Sequence, residues 1–264
     1  MCPPKNFVVE YAINAWMDTT VPVDTELAVK QWHGLRETLQ QLGHDVHVLA
    51  SEIGLPDMVY AANGAFTVDG AAYGARFRFP QRTAEEAAHK RFYAAALTSP
   101  WRFVSPSFVN EGEGDFAYLP AAYGGLILAG HGFRTDALAH SEAQDALGRP
   151  VVSLRLVDPR FYHLDTALCV LDADTAMYYP AAFDDAGRAA LAARFAELIE
   201  AKDEDAEVLG LNAVSDGRHV VLPVQAAGLA AQLSERGFEP VGVDVSELLK
   251  GGGGPKCCTL ELRP

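Results

Sequence analysis

Cys257 stands near the end of GGGGPKCCTLEL, where four glycines lead through Pro255 and Lys256 into a cysteine pair. Glycines permit positive φ angles and close backbone approach to a ligand. A neighbouring lysine favours the thiolate, the nucleophilic form of cysteine. A free cysteine also packs as a small hydrophobe, and that inert role suits Cys258, which strand alternation would turn to the opposite face. His163 lies in DPRFYHLDTALCVL. A strand there puts His163 and Asp165 on one face, a pairing suited to proton transfer and cation binding. The stretch VNEGEGDFAYL brings Glu111, Glu113 and Asp115 close together. Such carboxylates raise one another's pKa unless a cation joins them, and a planar guanidinium matches their oxygens two at a time. An acidic turn is the simpler reading, and a calcium loop lacks its further oxygen ligands.

PDMVYAANGA supplies Asp57 and Asn63, although Asn63-Gly64 also reads locally as a hairpin turn. Arg76 in GARFRF and Arg134 in GHGFRT are candidates to hold a substrate carboxylate, with plain surface arginine as the alternative. The cysteines are Cys2, Cys169, Cys257 and Cys258, and no His/Cys group has zinc spacing, so no metal is expected.

A helix followed by a strand recurs and must position these residues. Residues 24–42 carry Leu27, Trp32, Leu35, Leu39 and Leu42 at helical spacing, then Gly43 as a cap and VHVL at 46–49 as a strand. Residues 228–245 repeat the layout with Gly237 as cap. Weaker copies run through 84–97 into RFVS, 136–147 into VVSLRL, and 185–201 into EVLGL. The tips between strands hold Asn63, Glu111, His163, Asn212 and Cys257, spaced roughly 50 residues apart, which predicts five units around one central site. The alternative is an ordinary α/β sheet with irregular loops.

With 49% apolar residues the chain is globular, and residues 1–264 are read as one domain. No apolar run approaches the roughly 20 residues of a membrane helix, and MCPPKNFVVEYAINAW lacks a signal-peptide layout. A cytoplasmic location with reduced thiols is expected. The net charge of −14 without a basic patch argues against nucleic acid and suits, without selecting, a cationic small molecule. Self-association is left open.

Taken in order, PDMVYAANGA, NEGEGDF, GHGFRT, FYHLDTAL and GGGGPKCCTLEL resemble the guanidino-group-modifying enzymes of the pentein fold. That superfamily includes arginine deiminase, dimethylargininase, amidinotransferases and arginine dihydrolases. The resemblance runs nearly end to end and implies an α/β fold, a five-bladed pseudo-fivefold propeller. It implies no cofactor. It makes Cys257 the nucleophile and His163 the general acid and base, with Glu111 orienting the histidine or gripping the substrate. Asp165 looks like a second guanidinium ligand, Asp115 joins the acidic motif that receives the cation, and Arg76 and Arg134 look like carboxylate clamps. Asn14, in YAINAWMD, resembles the substrate-loop Asn of the dihydrolases, although Ala15 stands where Pro is usual. The acidic motif has one residue more than the deiminase EGGD, so Glu111 and Glu113 both fit, with Glu111 favoured.

The implied chemistry is attack of Cys257 on the guanidinium carbon, amine release, and hydrolysis of an S-alkylthiouronium. Asn63, a neutral amide where deiminases and dimethylargininases carry Asp, favours arginine dihydrolase, giving ornithine, carbon dioxide and ammonia. The alternatives are dimethylargininase or arginine deiminase, and more remotely an amidinotransferase or a non-catalytic ribosome-binding relative.

Overall fold

Helix α1 (Thr25–Gln41) starts where Asp24 accepts a hydrogen bond from the Leu27 N–H at 2.9 Å. Its Ala28, Trp32, Leu35 and Leu39 share one buried face. It ends at Leu42, followed by Gly43 at φ +94°. The computed structural model describes residues 1–95 and 101–264. The end of the helix expected over 84–97 lies outside them.

After α1 one arrangement occurs four times: two antiparallel strands, a helix, and a third strand parallel to the second. The first copy is β1 (Ala65–Val68), β2 (Ala71–Gly74), α2 (Glu85–Ala95) and β3 (Arg102–Val104). The second is β4 (Phe116–Leu119), β5 (Leu126–His131), α3 (Leu138–Leu147) and β6 (Val151–Arg155). The third opens with a helical turn, α4 (Leu164–Ala167), then β7 (Leu168–Val170), β8 (Thr175–Tyr178), α5 (Asp185–Arg194) and β9 (Glu197–Glu200). The fourth opens with α6 (Asp203–Ala206), then β10 (Val214–Ser215), β11 (His219–Pro223), α7 (Ala227–Glu235) and β12 (Glu239–Val243). The short helix α8 (Ser246–Leu249) follows. A short turn suffices for each antiparallel pair, whereas the parallel third strand requires the helical crossover. The result is an α/β fold with four three-stranded sheets.

The core is shared between units. Leu128, Leu154, Phe161, Phe183, Ile199 and Leu222 form one cluster joining the second, third and fourth copies. Trp32 and Leu35 of α1 pack in another with Phe7, Val243, Leu248, Cys257 and Cys258, tying the chain's start to its end.

Several local expectations are corrected. VHVL at 46–49 forms no ladder; among the described residues its backbone pairs with the first residue, with the Met1 amino group on the His47 carbonyl at 3.0 Å and the Leu49 N–H on the Met1 carbonyl at 2.9 Å. No fifth sheet is present among the described residues. The helix predicted over 185–201 ends at Arg194, and the strand is Glu197–Glu200 rather than EVLGL. Three acidic residues at 203–205 start α6 instead. Asn63-Gly64 is not a hairpin turn but part of a 3-10 turn over Ala61–Gly64.

Candidate active site

The tips are turns and helix starts rather than strand ends, and hydrogen bonds explain the difference. His163 caps α4 with extended backbone, and Asp165 lies in the first helical turn, so the shared strand face does not exist. The Asp115 carboxylate accepts from the Leu164 N–H at 3.0 Å, and Thr166 Oγ1 donates to the His163 carbonyl at 2.7 Å. Together they wind the chain at His163 into a helix. Cys257 also sits in a turn: the Thr259 N–H bonds the Lys256 carbonyl at 2.9 Å, and the Cys257 carbonyl accepts from the Ala62 N–H at 3.0 Å. Cys257 and Cys258 are therefore not placed on opposite faces of a strand; both are buried.

Glu111, His163, Asp165, Asn63 and Cys257 are each at most 5% exposed and meet in one place. His163 Nε2 lies 2.8 Å from Glu111 Oε2, and Arg134 donates to the same oxygen at 2.7 Å. Burial opposes the charge on Glu111, but Arg134 and His163 outweigh it and hold this carboxyl well below the usual range. A charged carboxylate can only accept, so Nε2 carries its proton and Nδ1 is the atom left for proton transfer. His163 Nδ1 is buried and makes no hydrogen bond among the described residues. A Cβ on Gly114 would lie 2.4 Å from Asn63 Nδ2 and 3.2 Å from the His163 ring, so only glycine lets these two side chains approach across it.

Cys257 Sγ lies 3.2 Å from Asp165 Oδ2 and 3.1 Å from Asn212 Nδ2. Burial, then the Asp165 carboxylate, push this thiol well above its ordinary pKa, so the resting sulfur is protonated. Lys256 does not counter this, because its Nζ bonds Glu261 at 2.7 Å and Glu113 at 3.2 Å. Glu113 also pairs with Arg263 at 2.5 Å. Of the two glutamates, Glu111 is the one at the histidine. Asp115 makes its bonds to Leu164 and, at 2.7 Å, to Thr135 Oγ1, and burial pushes it up to about 6. Its contacts position His163.

The remaining expected residues divide. Arg76 is exposed and lies outside this network. Arg134 is buried between the Phe79 and Tyr162 rings, and the carboxylate it holds is that of Glu111. Its second nitrogen donates to the Ile13 carbonyl at 2.9 Å. Asn14 Nδ2 donates to the Gly251 carbonyl at 3.0 Å, and Trp16 Nε1 to Arg160 at 2.7 Å. These bonds fasten residues 13–16 to Arg134, Gly251 and Arg160.

Two buried participants escaped the sequence reading. Arg82 donates to Asn63 Oδ1 at 2.7 Å and forks onto Glu85 at 2.9 and 2.8 Å. Its only signal is the three-residue spacing to Glu85 in RTAE. Asn212 was placed at a tip without a role.

Asp165 makes a pH-dependent contribution that can be measured. Burial pushes it up to about 7, against an unfolded value of about 3.9. Between those values the native state holds a proton that the unfolded chain has lost, so Asp165 lowers stability as pH rises through that window. Asp165→Asn should therefore melt a few degrees above wild type near about pH 8, with the gain vanishing near about pH 4. A variant no more stable than wild type at the higher pH would refute the linkage.

A buried thiol 3.2 Å from a carboxylate and a histidine–glutamate pair at 2.8 Å are groups capable of nucleophilic attack and proton transfer. The family N,N dimethylarginine dimethylhydrolase, eukaryotic, matches residues 3–264. This chain belongs to that family, within the guanidino-group-modifying superfamily. An N(G),N(G)-dimethylarginine dimethylaminohydrolase of Mycobacterium tuberculosis is 56% identical over 100% of this chain and 85% of its own length. A bifunctional arginine dihydrolase/ornithine cyclodeaminase, ArgZ of Synechocystis, is 32% identical over 99% of this chain, which spans 37% of that protein. The crystal structure of a mutant N-terminal domain of ArgZ bound to substrate superimposes with a TM-score of 0.93, covering 100% of this chain and 97% of that one.

Proposed function

We propose that this hydrolase acts on N-methylated arginine, converting dimethylarginine to citrulline and dimethylamine through a covalent bond to Cys257. The carrying observation is the sulfur 3.2 Å from the Asp165 carboxylate in a site that also holds the His163–Glu111 pair at 2.8 Å. Asp165 receives the guanidinium, whose positive charge draws it into its ionised form. The proton leaving the Cys257 thiol passes to His163 Nδ1, and the thiolate attacks the guanidinium carbon. His163 gives a proton from Nδ1 to the departing amine as the carbon–nitrogen bond breaks, leaving an S-alkylthiouronium. His163 then takes a proton from water, which attacks the same carbon. The carbon–sulfur bond breaks and the ureido product leaves. Glu111, kept charged by Arg134, stabilises the imidazolium that exists whenever Nδ1 holds a proton, before amine release and after water attack. The name of the 56% identical relative favours the methylated substrate over the dihydrolase reading taken from Asn63.

Arginine dihydrolase is the second reading, and Asn63 supports it. Arg82 can only donate, so it fixes Oδ1 and leaves Nδ2, which has no partner among the described residues, beside Gly114 and His163. An N–H there suits a ureido oxygen better than a guanidinium. Product analysis separates the two: dimethylarginine should yield dimethylamine and citrulline one to one. Two ammonia and ornithine from arginine, with dimethylarginine untouched, would overturn the methylarginine reading.

The same proposal treats residues 1–264 as one domain with five blades. The fifth would comprise α1, the pairing of Met1 with 47–49, and the C-terminal segment, whose Arg263 carbonyl accepts from the Gly70 N–H at 3.0 Å. The described residues contain no helix long and apolar enough to cross a membrane. Four free cysteines, the nucleophile among them, suit a reducing cytoplasm.

A further inference from the structure

Asn212 is fully buried and uses every hydrogen-bonding position its side chain has. Oδ1 accepts from the Gly254 N–H at 2.8 Å and the Cys257 N–H at 3.0 Å. Nδ2 donates to the Asp165 carbonyl at 3.1 Å and lies 3.1 Å from Cys257 Sγ. The orientation of the amide follows from chemistry. Exchanging its oxygen and nitrogen would set an NH2 group against two backbone donors. An N–H is therefore fixed on the sulfur by the turn that carries the sulfur. Gly254 permits this, since a Cβ there would lie 3.0 Å from Asn212 Oδ1.

The other groups around the sulfur do not favour its negative charge. Asp165 Oδ2 is at 3.2 Å. Cys258 adjoins it in the chain, and the Tyr60 and Tyr162 hydroxyls donate to the Leu248 and Gly252 carbonyls. Lys256 turns to Glu113 and Glu261. Among the described residues, Asn212 Nδ2 is the one N–H donor within hydrogen-bonding distance of Sγ.

We infer that Asn212 is a further catalytic residue: its Nδ2 N–H stabilises the Cys257 thiolate before attack and again when the thiouronium releases the sulfur. Asn212 transfers no proton; it holds one hydrogen bond that strengthens as the sulfur becomes an anion. The inference rests on Cys257 being the nucleophile. It assigns the fourth tip a chemical task beside those of Glu111, His163 and Cys257.

Two substitutions separate this task from the clamping of the turn. Asn212→Asp keeps an acceptor for the Gly254 and Cys257 N–H groups but sets a carboxyl oxygen where the donor stood. Asn212→Ala removes both. The readout is the pH dependence of iodoacetamide alkylation, scored by mass on the peptide containing Cys257 and Cys258 with fragmentation to locate the label. It needs no turnover, and melting curves report folding. A hydrogen bond to a charged group corresponds to about one pH unit or more. Asn212→Ala should move the Cys257 midpoint up by about that much, reducing neutral-pH alkylation about tenfold. Asn212→Asp should move it at least as far while melting nearer to wild type. A clamp alone predicts the reverse order, with Asp harmless and Ala damaging. That order, or an unchanged midpoint in both variants, overturns the inference while leaving Cys257 as nucleophile. Wild-type label on Cys258 instead of Cys257 overturns both.

Discussion

Cys257→Ser should reduce turnover about ten-thousandfold or more, while Cys258→Ser should keep most of it. A hydroxyl in place of Sγ is far harder to ionise than a thiol in a site already unfavourable to the anion. The contacts of Cys257 with Asp165 and Asn212 would survive in altered form, so the loss should fall on kcat more than on folding. Cys258 is equally buried in the same apolar cluster, but among the described residues its sulfur makes no hydrogen bond, whereas that of Cys257 meets Asp165 and Asn212. Serine there buries a hydroxyl, at a cost of about 1–3 kcal/mol, and should lower the melting temperature instead. Citrulline or ornithine formation, with melts of both variants, gives the comparison. If the two serine variants exchanged these phenotypes, the nucleophile would be Cys258.

His163→Gly should lower turnover by about a hundred- to ten-thousandfold, the range for positioned general acid–base catalysis. The fold should persist, because the α4 turn is anchored by Asp115 on Leu164 and by Thr166 on the His163 backbone carbonyl. Glu111 would lose His163 but keep Arg134 and the Arg78 N–H. Alkylation of Cys257 by a neutral reagent should continue in this variant, since no leaving amine has to be protonated. Turnover should then be partly restored for a guanidine analogue whose leaving group departs without a proton. A wild-type rate with the ordinary substrate would remove His163 from the mechanism.

Both expectations depend on residues that the chain holds far apart, and the legibility of the site divides accordingly. Immediate neighbours made Cys257, His163 and the carboxylates at 111–115 candidates, and the ordered motifs resembling a known family chose among them. The helix–strand alternation was readable from apolar spacing, and α1 and α7 fall close to where it put them. Secondary structure at the tips was misread, because hydrogen bonds from distant chain segments decide it. The pattern around FYHLDT alternates as a strand would, yet the Asp115 carboxylate on the Leu164 N–H makes it a helix start. Local propensity holds no information about a cap that comes from another unit.

The sequence by itself determined the chemistry available: a thiol pair after a glycine run, a histidine near an aspartate, a cluster of carboxylates, and a repeating α/β layout to bring them together. The choice among near-equivalents belonged to the tertiary structure. It put Glu111 on His163 and sent Glu113 to Lys256 and Arg263, left Arg76 in solvent, and buried Arg82 against Asn63. It also turned Lys256 away from the sulfur and set the amide of Asn212 there. The physical reason is that a buried charge or polar group must find its partner in space. The partners of these groups lie many tens of residues away along the chain, where no local pattern can register them.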